Sequence, residues 1–347
     1  MVKRGIALLA TFGLAAVAAT GAAAAPARTT GVTITGAGSS FVFPLVSTWT
    51  PALDSAFGYQ VTYGSVGSGA GIQSITTRTV DFGASDAPLT PEQFSACKGC
   101  VQIPWALSAT SVAYNVPNAP VHVKLSGKVI SDIYLGKITN WNDRAIAKLN
   151  KGWNAPDLKI TPVFRSDGSG TTYNFADYLA TVSPEFKSKV GVGTQVSFPT
   201  GIGARGSSGV TGVVKQTEGA LTYVDVAYAL ANKVKFAAVQ NKAGKFTFPG
   251  IRAIAAAAST VKKVPASNEM HIVDPPRSQP TAYPITTFTY VILPTRSEKA
   301  AELRKLVFWT LTQGQQQRYT AKLLFVPIPK PVLVAAEKTL RQVKSST

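Results

Sequence analysis

Three loops rich in glycine and serine each separate a strand-like run of residues from a helix-like run. They are GAGSSF at 36–41, GSGAG at 67–71 and RSDGSGT at 165–171. β-branched and aromatic residues are frequent before the loops, and apolar residues recur at helical spacing after them. Because strands that alternate with helices tend to pair side by side, this order predicts an α/β fold with largely parallel sheets.

Loops of this kind are suited to binding anions. A junction between a strand and a helix presents backbone N–H groups without partners and the positive end of the helix dipole. One such loop alone is more often a tight turn than an anion site. Three in one chain, one of them led by Arg165, favour an anion site.

Two further strand-like segments, at 110–116 and 285–293, separate stretches of the same α/β pattern. We therefore predict two α/β lobes, with the two ends of the chain sharing one of them. Lobe I would comprise residues 31–112 and 286–347, and lobe II residues 113–285. A ligand would bind in the cleft between the lobes, at the carboxyl ends of the strands.

Two helix starts are marked by local signals. Thr90, Pro91 and Gln93 have the pattern of a capping box with proline at the first helical position. Asn142 is predicted to cap the helix that begins within DRAIAKLN.

A nucleotide site fits the loops poorly. None of the three contains the lysine that a Walker loop needs to reach the phosphates. The segment GIGARG at 201–206 matches the dinucleotide pattern formally, but it follows VSFPT and shows no clean strand–turn–helix order. Asp225 lies near the required spacing, yet within TYVDVAYA its position is interpreted as incidental.

Catalysis also fits the sequence poorly. The two histidines, His122 and His271, are not adjacent to a candidate nucleophile, and we interpret both as structural. There is no nucleophile elbow of the G-x-S-x-G type and no cluster with the spacing of metal ligands. We therefore expect no enzyme activity, no metal and no cofactor.

The N-terminus has the features of a secretory signal peptide. Residues 1–25 contain a basic start at Lys3 and Arg4, an apolar run and small residues, with cleavage expected near Ala25 or Ala27. A membrane anchor is the alternative, but the run is short and rich in alanine. No cysteine follows it that could carry a lipid, and no later stretch reaches the ~18 apolar residues of a membrane span. We expect an exported, soluble protein.

The chain is strongly basic, with a formal charge of +18. Loss of Lys3 and Arg4 leaves 33 Lys and Arg against 17 Asp and Glu, or +16. Such a charge concerns partners and not the fold. Nucleic acid is not expected, because no binding signature for it is present. Attraction of small anions, adhesion to an anionic envelope and an ordinary solvated surface remain open.

The chain has two cysteines, Cys97 and Cys100, in the sequence ACKGCVQ. This spacing allows a redox pair, half of a zinc site or a local disulfide. No second pair is present, and an oxidising compartment favours the disulfide.

Five segments together resemble a known family. They are GAGSSFVFP, VGSGAGIQSI, VDFGASDAPLT, IYLGKITNWND and RSDGSGTT. In order and spacing they are similar to the phosphate-binding proteins of bacterial phosphate ABC transporters, from about residue 33 into the last helical region, with a looser C-terminal part. The resemblance implies a two-lobed periplasmic-binding-protein fold of type II, with two hinge strands. It also implies a monomer in the periplasm that binds one desolvated phosphate and delivers it to a membrane permease and its ATPase.

The resemblance also assigns individual residues. Asp167 would orient Arg165 through a side-chain pair, and Asp86 would face the ligand. Ser40 stands where many relatives have threonine, Phe164 where many have a second arginine, and CKGC is not general in the family. The phosphate contacts implied by the resemblance are Ser40, Phe41, Ser68, Asp86, Arg165, Ser169, Gly170 and Thr171.

A carboxylate in an anion site has a physical purpose. Phosphate keeps at least one proton near neutral pH, and Asp86 can accept its hydrogen bond. Sulfate has no such proton and would meet repelling lone pairs. Arsenate is not separated from phosphate by this device. A phosphate sensor or envelope protein without a role in transport and a phosphatase-like hydrolase are the alternative functions.

Overall fold

The computed structural model describes residues 31–346. The predicted signal peptide at 1–25, with its cleavage sites near Ala25 and Ala27, lies outside the described residues, as does Thr347 at the end of predicted lobe I. From residue 31 to residue 346, no helix combines the length and the apolar composition that a membrane crossing requires.

Strands and helices alternate along the first part of the chain, as predicted. The strands are β1 (Thr33–Gly38), β2 (Gln60–Ser65), β3 (Phe82–Ser85), β4 (Cys100–Tyr114), β5 (Lys124–Leu125), β6 (Thr161–Arg165), β7 (Ile202–Ala204), β8 (Ala220–Asp225), β9 (Lys235–Phe236), β10 (Ala238–Gln240), β11 (Phe246–Thr247), β12 (Thr286–Pro294), β13 (Arg296–Ser297) and β14 (Lys344–Ser345). The helices are α1 (Phe43–Phe57), α2 (Ser68–Thr76), α3 (Pro91–Cys97), α4 (Gly127–Tyr134), α5 (Arg144–Leu149), α6 (Gly170–Val182), α7 (Pro184–Lys189), α8 (Gly206–Gln216), α9 (Val226–Ala231), α10 (Ile251–Ala258), α11 (Ala300–Leu311), α12 (Gln317–Thr320) and α13 (Lys330–Leu340).

Most of the longer strands form one sheet in the order β2-β1-β3-β12-β4-β8-β6-β7, and β9 pairs with β4. The outer pairs β1/β2, β1/β3, β6/β7 and β6/β8 are parallel. In the middle, β12 pairs antiparallel with β3 and β4, and β4 pairs antiparallel with β8. The prediction of largely parallel sheets is therefore wrong for the centre, because β4 and β12 cross between the two halves in opposite directions.

β4 joins the two halves of the sheet. Its residues 100–109 pair with β12, and its residues 110–114 pair with β8. Both crossing strands are buried along their whole length. The predicted two-lobed α/β fold is thus confirmed, with one lobe on each side of this strand pair. The lobe boundaries at 112/113 and 285/286 stay predictions.

The two predicted helix starts have different outcomes. The capping box is confirmed, since Thr90 Oγ1 accepts from Gln93 N at 3.3 Å and Gln93 Oε1 accepts from Thr90 N at 3.0 Å. The prediction for Asn142 is wrong by one residue. Asp143 caps α5 by accepting from Ala145 N at 2.7 Å, because a carboxylate directly before the helix reaches its first free N–H groups.

The cysteines lie beside the loop that contains Asp86. Cys97 and Cys100 form a disulfide between the end of α3 and the start of β4. The Nη1 atom of Arg78 lies 3.3 Å and 3.4 Å from the two sulfur atoms, and its Nη2 donates to Cys97 O at 2.8 Å. Leu89 packs in the same small apolar cluster. This packing supports the structural interpretation of the pair.

Trp105 on β4 is central to the packing of lobe I. Its ring lies 5.3 Å from that of Trp49 on α1 and 5.9 Å from that of Phe82 on β3, between ring centroids. Its Nε1 donates to Thr289 Oγ1 on β12 at 3.1 Å. Trp105 therefore attaches the helical layer of lobe I to both crossing strands.

We expect Trp105→Ala to lower the free energy of unfolding by about 3–5 kcal/mol, because a large buried ring leaves a cavity. Phe308→Ala is the matched control, since Phe308 is 51% exposed on α11, and it should cost less than about 1 kcal/mol. Denaturant unfolding followed by circular dichroism measures both. Equal costs for the two variants would contradict this view of the core.

Candidate functional site

The first loop places hydroxyls at the end of β1. Gly38 has a φ of +146°, and a Cβ there would meet Ala84 O on the neighbouring strand at 2.1 Å, so only glycine fits. The chain then turns so that Ser39 Oγ donates to Asp86 Oδ1 and accepts from Phe41 N at 3.1 Å. Ser40 and Phe41 are both buried.

Asp86 follows β3 and is 2% exposed. Its backbone N–H donates to Ser68 Oγ at 3.3 Å, and the same hydroxyl lies 3.5 Å from Asp86 Oδ2. Burial raises the pKa of Asp86 to about 7, although hydrogen bonds from Ser39 and Ser68 and the charge of Arg165 oppose the rise. Near neutral pH this carboxyl can therefore be found in either protonation state.

Lobe II contributes an ion pair from the third loop. Arg165 ends β6, and its side chain is 2% exposed. Its Nε donates to Asp167 Oδ1 at 2.7 Å and its Nη2 to Asp167 Oδ2 at 2.5 Å. Gly206 N donates to Asp167 Oδ1 at 3.0 Å. Burial alone raises the pKa of Asp167, but these donors hold it below its ordinary value, so the pair stays charged.

The start of α6 presents donors next to this pair. Ser169 Oγ caps the helix by accepting from Thr172 N at 3.2 Å. Gly170 N donates across the cleft to Ser68 Oγ at 3.1 Å. Thr171 Oγ1 is buried, and among residues 31–346 it has no hydrogen-bond partner. A buried hydroxyl in this condition is typical of a site that awaits a polar ligand.

The cleft is closed, and glycines allow the approach of the two lobes. Gly69 N donates to Gly168 O at 2.9 Å across it. A Cβ on Gly67 would lie 2.3 Å from Asp167 Oδ2, and one on Gly170 would lie 2.7 Å from the backbone of the Asp86 loop. The loops predicted from sequence thus meet face to face, and they bring together all the predicted contact residues.

Three residues of the cleft were missed by the sequence analysis: Ser39, Ser207 and Asp225. Ser207 Oγ lies 2.8 Å from Ser40 Oγ, and Ser207 N donates to Ser40 Oγ at 3.2 Å. Asp225 ends β8, is 1% exposed and lies close enough to Asp86 for the Asp86 charge to raise its pKa, although burial is the main cause of the rise. The pairing of Ser39 with Asp86 has no signal in the sequence, because it depends on contact between two loops.

The interpretation of 201–206 requires a correction. This segment does form a strand followed by a helix, since β7 leads through Arg205 into α8, and that helix carries Ser207. The spacing of Asp225 from this segment stays interpreted as incidental to a dinucleotide motif, although the residue lies near Asp86 and Arg165. The sequence does not predict this strand, because β7 has only three residues. They are largely exposed, so the strand lacks an apolar pattern.

The two histidines lie away from the cleft residues described above. His122 Nδ1 lies 2.8 Å from Phe236 O, and its ring stacks on Phe248. His271 Nδ1 lies 2.9 Å from Asp177 Oδ2. Over the described part of the chain, no group of three His, Cys, Asp or Glu side chains is placed to hold a metal ion.

Comparisons with known proteins agree on one family. A profile described as the PBP superfamily domain matches residues 20–312. The phosphate-binding protein PstS of Xylella fastidiosa is 40% identical over 306 residues, which cover 87% of this chain and 83% of that protein. The phosphate-binding protein PstS of Pasteurella multocida is 40% identical over 320 residues, covering 90% of this chain and 92% of the relative.

A solved structure adds evidence on the fold alone. It is that of PfluDING, a high affinity periplasmic phosphate-binding protein bound with phosphate at pH 8.5, which matches with a TM-score of 0.71 at 20% identity. The match covers 88% of this chain and 93% of that chain. The shared profile and the two relatives show that this chain belongs to the PstS family of phosphate-binding proteins.

Proposed function

We propose that this protein binds one inorganic phosphate in the closed cleft and delivers it to the permease and ATPase of a phosphate ABC transporter. The observation that carries the proposal is the juxtaposition of Asp86 with Arg165 inside a ring of buried hydroxyl and N–H donors. The family membership and the printed names of the relatives support the ligand. The predicted signal peptide supports export to the periplasm.

The donors around the cleft are sufficient to replace the hydration of an oxyanion. Burying a multiply charged anion is costly unless each of its oxygens is hydrogen-bonded. Lobe I offers the hydroxyl and N–H of Ser40. The N–H of Phe41 and the hydroxyl of Ser68 bond in this structure to Ser39 Oγ and Asp86 Oδ2, and they would turn to the ligand. Lobe II offers Arg165, Ser169 and Thr171, whose orphaned hydroxyl gains a partner when phosphate is present. It also offers Gly170 N, which in this structure donates to Ser68 Oγ and would turn to the ligand.

Arg165 supplies the charge that phosphate requires. Two of its N–H groups are fixed by Asp167, which holds the guanidinium plane in one orientation and leaves its remaining N–H groups for the ligand. A planar fork of donors can contact two phosphate oxygens at once, which a lysine cannot. Asp167 thus acts on phosphate through Arg165.

Asp86 supplies the selectivity. When ionised, it accepts a hydrogen bond from protonated phosphate, whereas sulfate would place lone pairs against its carboxylate. Its hydrogen bonds with Ser39 and Ser68 favour the ionised form that this role needs. The proposed function is that of a carrier that releases its ligand unchanged, and we propose that it acts as a monomer without enzyme activity.

The function is tested by calorimetric titration of the mature protein with phosphate and sulfate. We expect tight binding of phosphate and binding of sulfate weaker by orders of magnitude. Asp86→Asn should reduce the ratio of the two affinities by about 10- to 100-fold, because a charge-assisted hydrogen bond is lost and an N–H donor is offered to sulfate.

Asp54→Asn is the control for charge, since Asp54 is exposed on α1, and its affinity ratio should equal that of the wild type. Equal affinities for phosphate and sulfate in the wild type would refute the selectivity argument. Failure to bind phosphate would refute the proposed function itself.

Arg165→Ala should weaken phosphate binding by about 30-fold or more, since truncating one partner of a buried charged contact typically costs about 2–5 kcal/mol. Arg165→Lys should retain part of the affinity, because the charge remains but the fork is lost. Arg277→Ala, at an exposed arginine, is the control. Wild-type affinity in Arg165→Ala would remove this residue from the site.

Gly170→Ala tests the closure of the lobes. The added methyl group would lie 2.7 Å from Ala87 N and from the Asp86 carbonyl carbon, so the cleft cannot close fully. We expect phosphate affinity to fall by about 5- to 100-fold, with little change in thermal stability.

Gly212→Ala is the matched control, because a Cβ at this helical glycine meets no heavy atom within 4 Å. It should keep wild-type affinity and gain about 0.5–1 kcal/mol of stability. Equal affinities in the two variants would show that close contact at Gly170 is not required for binding.

A further inference from the structure

Five exposed cations surround two neighbouring hollows in the surface of predicted lobe II. One hollow, of about 490 Å³, is lined in part by Lys124, Lys148 and Lys151. The other, of about 620 Å³, is lined in part by Lys245 and Arg252. In the described chain, none of the five forms an ion pair with a carboxylate. Of the described residues that line the two hollows, none is Asp or Glu.

The chain around the second hollow is basic over a long stretch. Residues 226–268 contain seven Lys or Arg, at positions 233, 235, 242, 245, 252, 262 and 263, and no Asp or Glu. Charges of one sign that are grouped in this way raise the local concentration of partners of the opposite sign. The partner of this surface should therefore be anionic.

Exposed apolar side chains lie on the same surface. Phe248 is 47% exposed and Ile251 is 43% exposed, and both line the second hollow. Val121 is 67% exposed and directly precedes His122, which lines the first hollow. Large apolar groups that remain in water beside a group of cations are typical of an interaction surface.

Two aromatic contacts join the hollows into one surface. The ring of His122 stacks on that of Phe248, with centroids 4.3 Å apart and an angle of 8° between the planes. Lys124 Nζ lies 5.8 Å from the centre of the Phe246 ring. In each contact, one residue lines the first hollow and the other lines the second. We call the five cations together with Val121, Phe248 and Ile251 the basic-apolar surface.

The composition of the basic-apolar surface favours lipid over protein. Four of its five cations are lysines, and protein–protein interfaces are depleted in lysine and enriched in arginine. Lysines beside aromatic and aliphatic side chains are typical of protein surfaces at the level of lipid headgroups, where the cations meet anionic lipids and the apolar groups reach the acyl boundary. A second copy of this chain would present the same positive charges and be repelled.

We propose that the basic-apolar surface binds a membrane that contains anionic phospholipids, with Phe248 and Ile251 inserted at the level of the headgroups. None of its residues is a proposed phosphate contact, so the inference does not rest on the proposed function. Membrane binding of this kind would hold the protein close to a permease in the same membrane.

The test is co-sedimentation of the mature protein with vesicles of phosphatidylcholine alone and with vesicles that also contain about 30% of the anionic phosphatidylglycerol. We expect binding to the anionic vesicles that weakens with added salt, and little binding to the neutral ones. The double variant Lys148→Gln/Lys151→Gln should bind about 5- to 30-fold more weakly, because each cation close to an anionic membrane adds to the attraction.

The double variant Lys305→Gln/Lys338→Gln is the matched control for charge. It removes two exposed lysines from α11 and α13, far in sequence from the basic-apolar surface, and leaves the same net charge. It should bind anionic vesicles as the wild type does. Equal losses in the two double variants would show that binding follows net charge alone and would overturn the inference.

Phe248→Ala tests the insertion of the apolar side chain. We expect vesicle binding to fall by about 3- to 10-fold, since part of the apolar burial is lost. Phe308→Ala is the matched control, because Phe308 is 51% exposed on α11, and it should bind as the wild type does. Calorimetric titration with phosphate should give wild-type affinity for every variant, which shows that each is folded.

The inference also fails if the wild type does not bind the anionic vesicles, or if the two phenylalanine variants bind them equally. Self-association of the wild type that is lost in Phe248→Ala, or binding to polyglutamate without binding to anionic vesicles, would assign the surface to another occupant. These outcomes leave the proposed function intact. A wild type that binds anionic vesicles as expected but binds no phosphate would overturn the proposed function and leave this inference in place.

Discussion

The closed cleft places the Arg165 guanidinium near the carboxyl groups of Asp86, Asp167 and Asp225, and the cost of burying these charges governs the rest of the site. Asp167 is compensated directly, because it forms a two-point pair with Arg165 and accepts from Gly206 N. Asp86 and Asp225 are more deeply buried and have no such pair. Burial therefore raises the pKa of both.

The glycines follow from the same constraint. Charges can be removed from water only if the two lobes approach so closely that backbone groups replace the solvent. Gly168 and Gly69 meet through a backbone hydrogen bond, and Gly170 lies against the Asp86 loop. A side chain at these positions would separate the lobes and admit water, which would weaken every electrostatic contact in the cleft. The glycines therefore determine how completely water is excluded from the site.

The sequence was most informative where structure is decided locally. The strand–loop–helix junctions and the Thr90 capping box could be predicted because their signals lie within a few residues of each other. Strand direction could not, because the antiparallel pairing of β4 and β12 depends on segments far apart in the chain. The roles of Asp86 and Arg165 were implied by the resemblance to a family. Ser207 was not predicted, because the strand before its helix is short and exposed and so lacks an apolar pattern. The position of Asp225 near the cleft could not be predicted, because the charges near it, Asp86 and Arg165, are distant in sequence.

The net charge of the chain and the charge of the cleft have opposite signs when all three cleft carboxyls are ionised. One arginine among them gives a local charge that would repel phosphate. Attraction at long range must therefore come from the remaining surface, and the formal charge, +18 for the full chain and +16 without Lys3 and Arg4, is of the sign required. At short range, fixed N–H and hydroxyl groups donate hydrogen bonds to the phosphate oxygens. A proton on phosphate or on a carboxyl removes the repulsion between the two groups. Capture and recognition thus depend on different parts of the molecule, so added salt should slow the capture of phosphate more than it weakens the contacts inside the closed cleft.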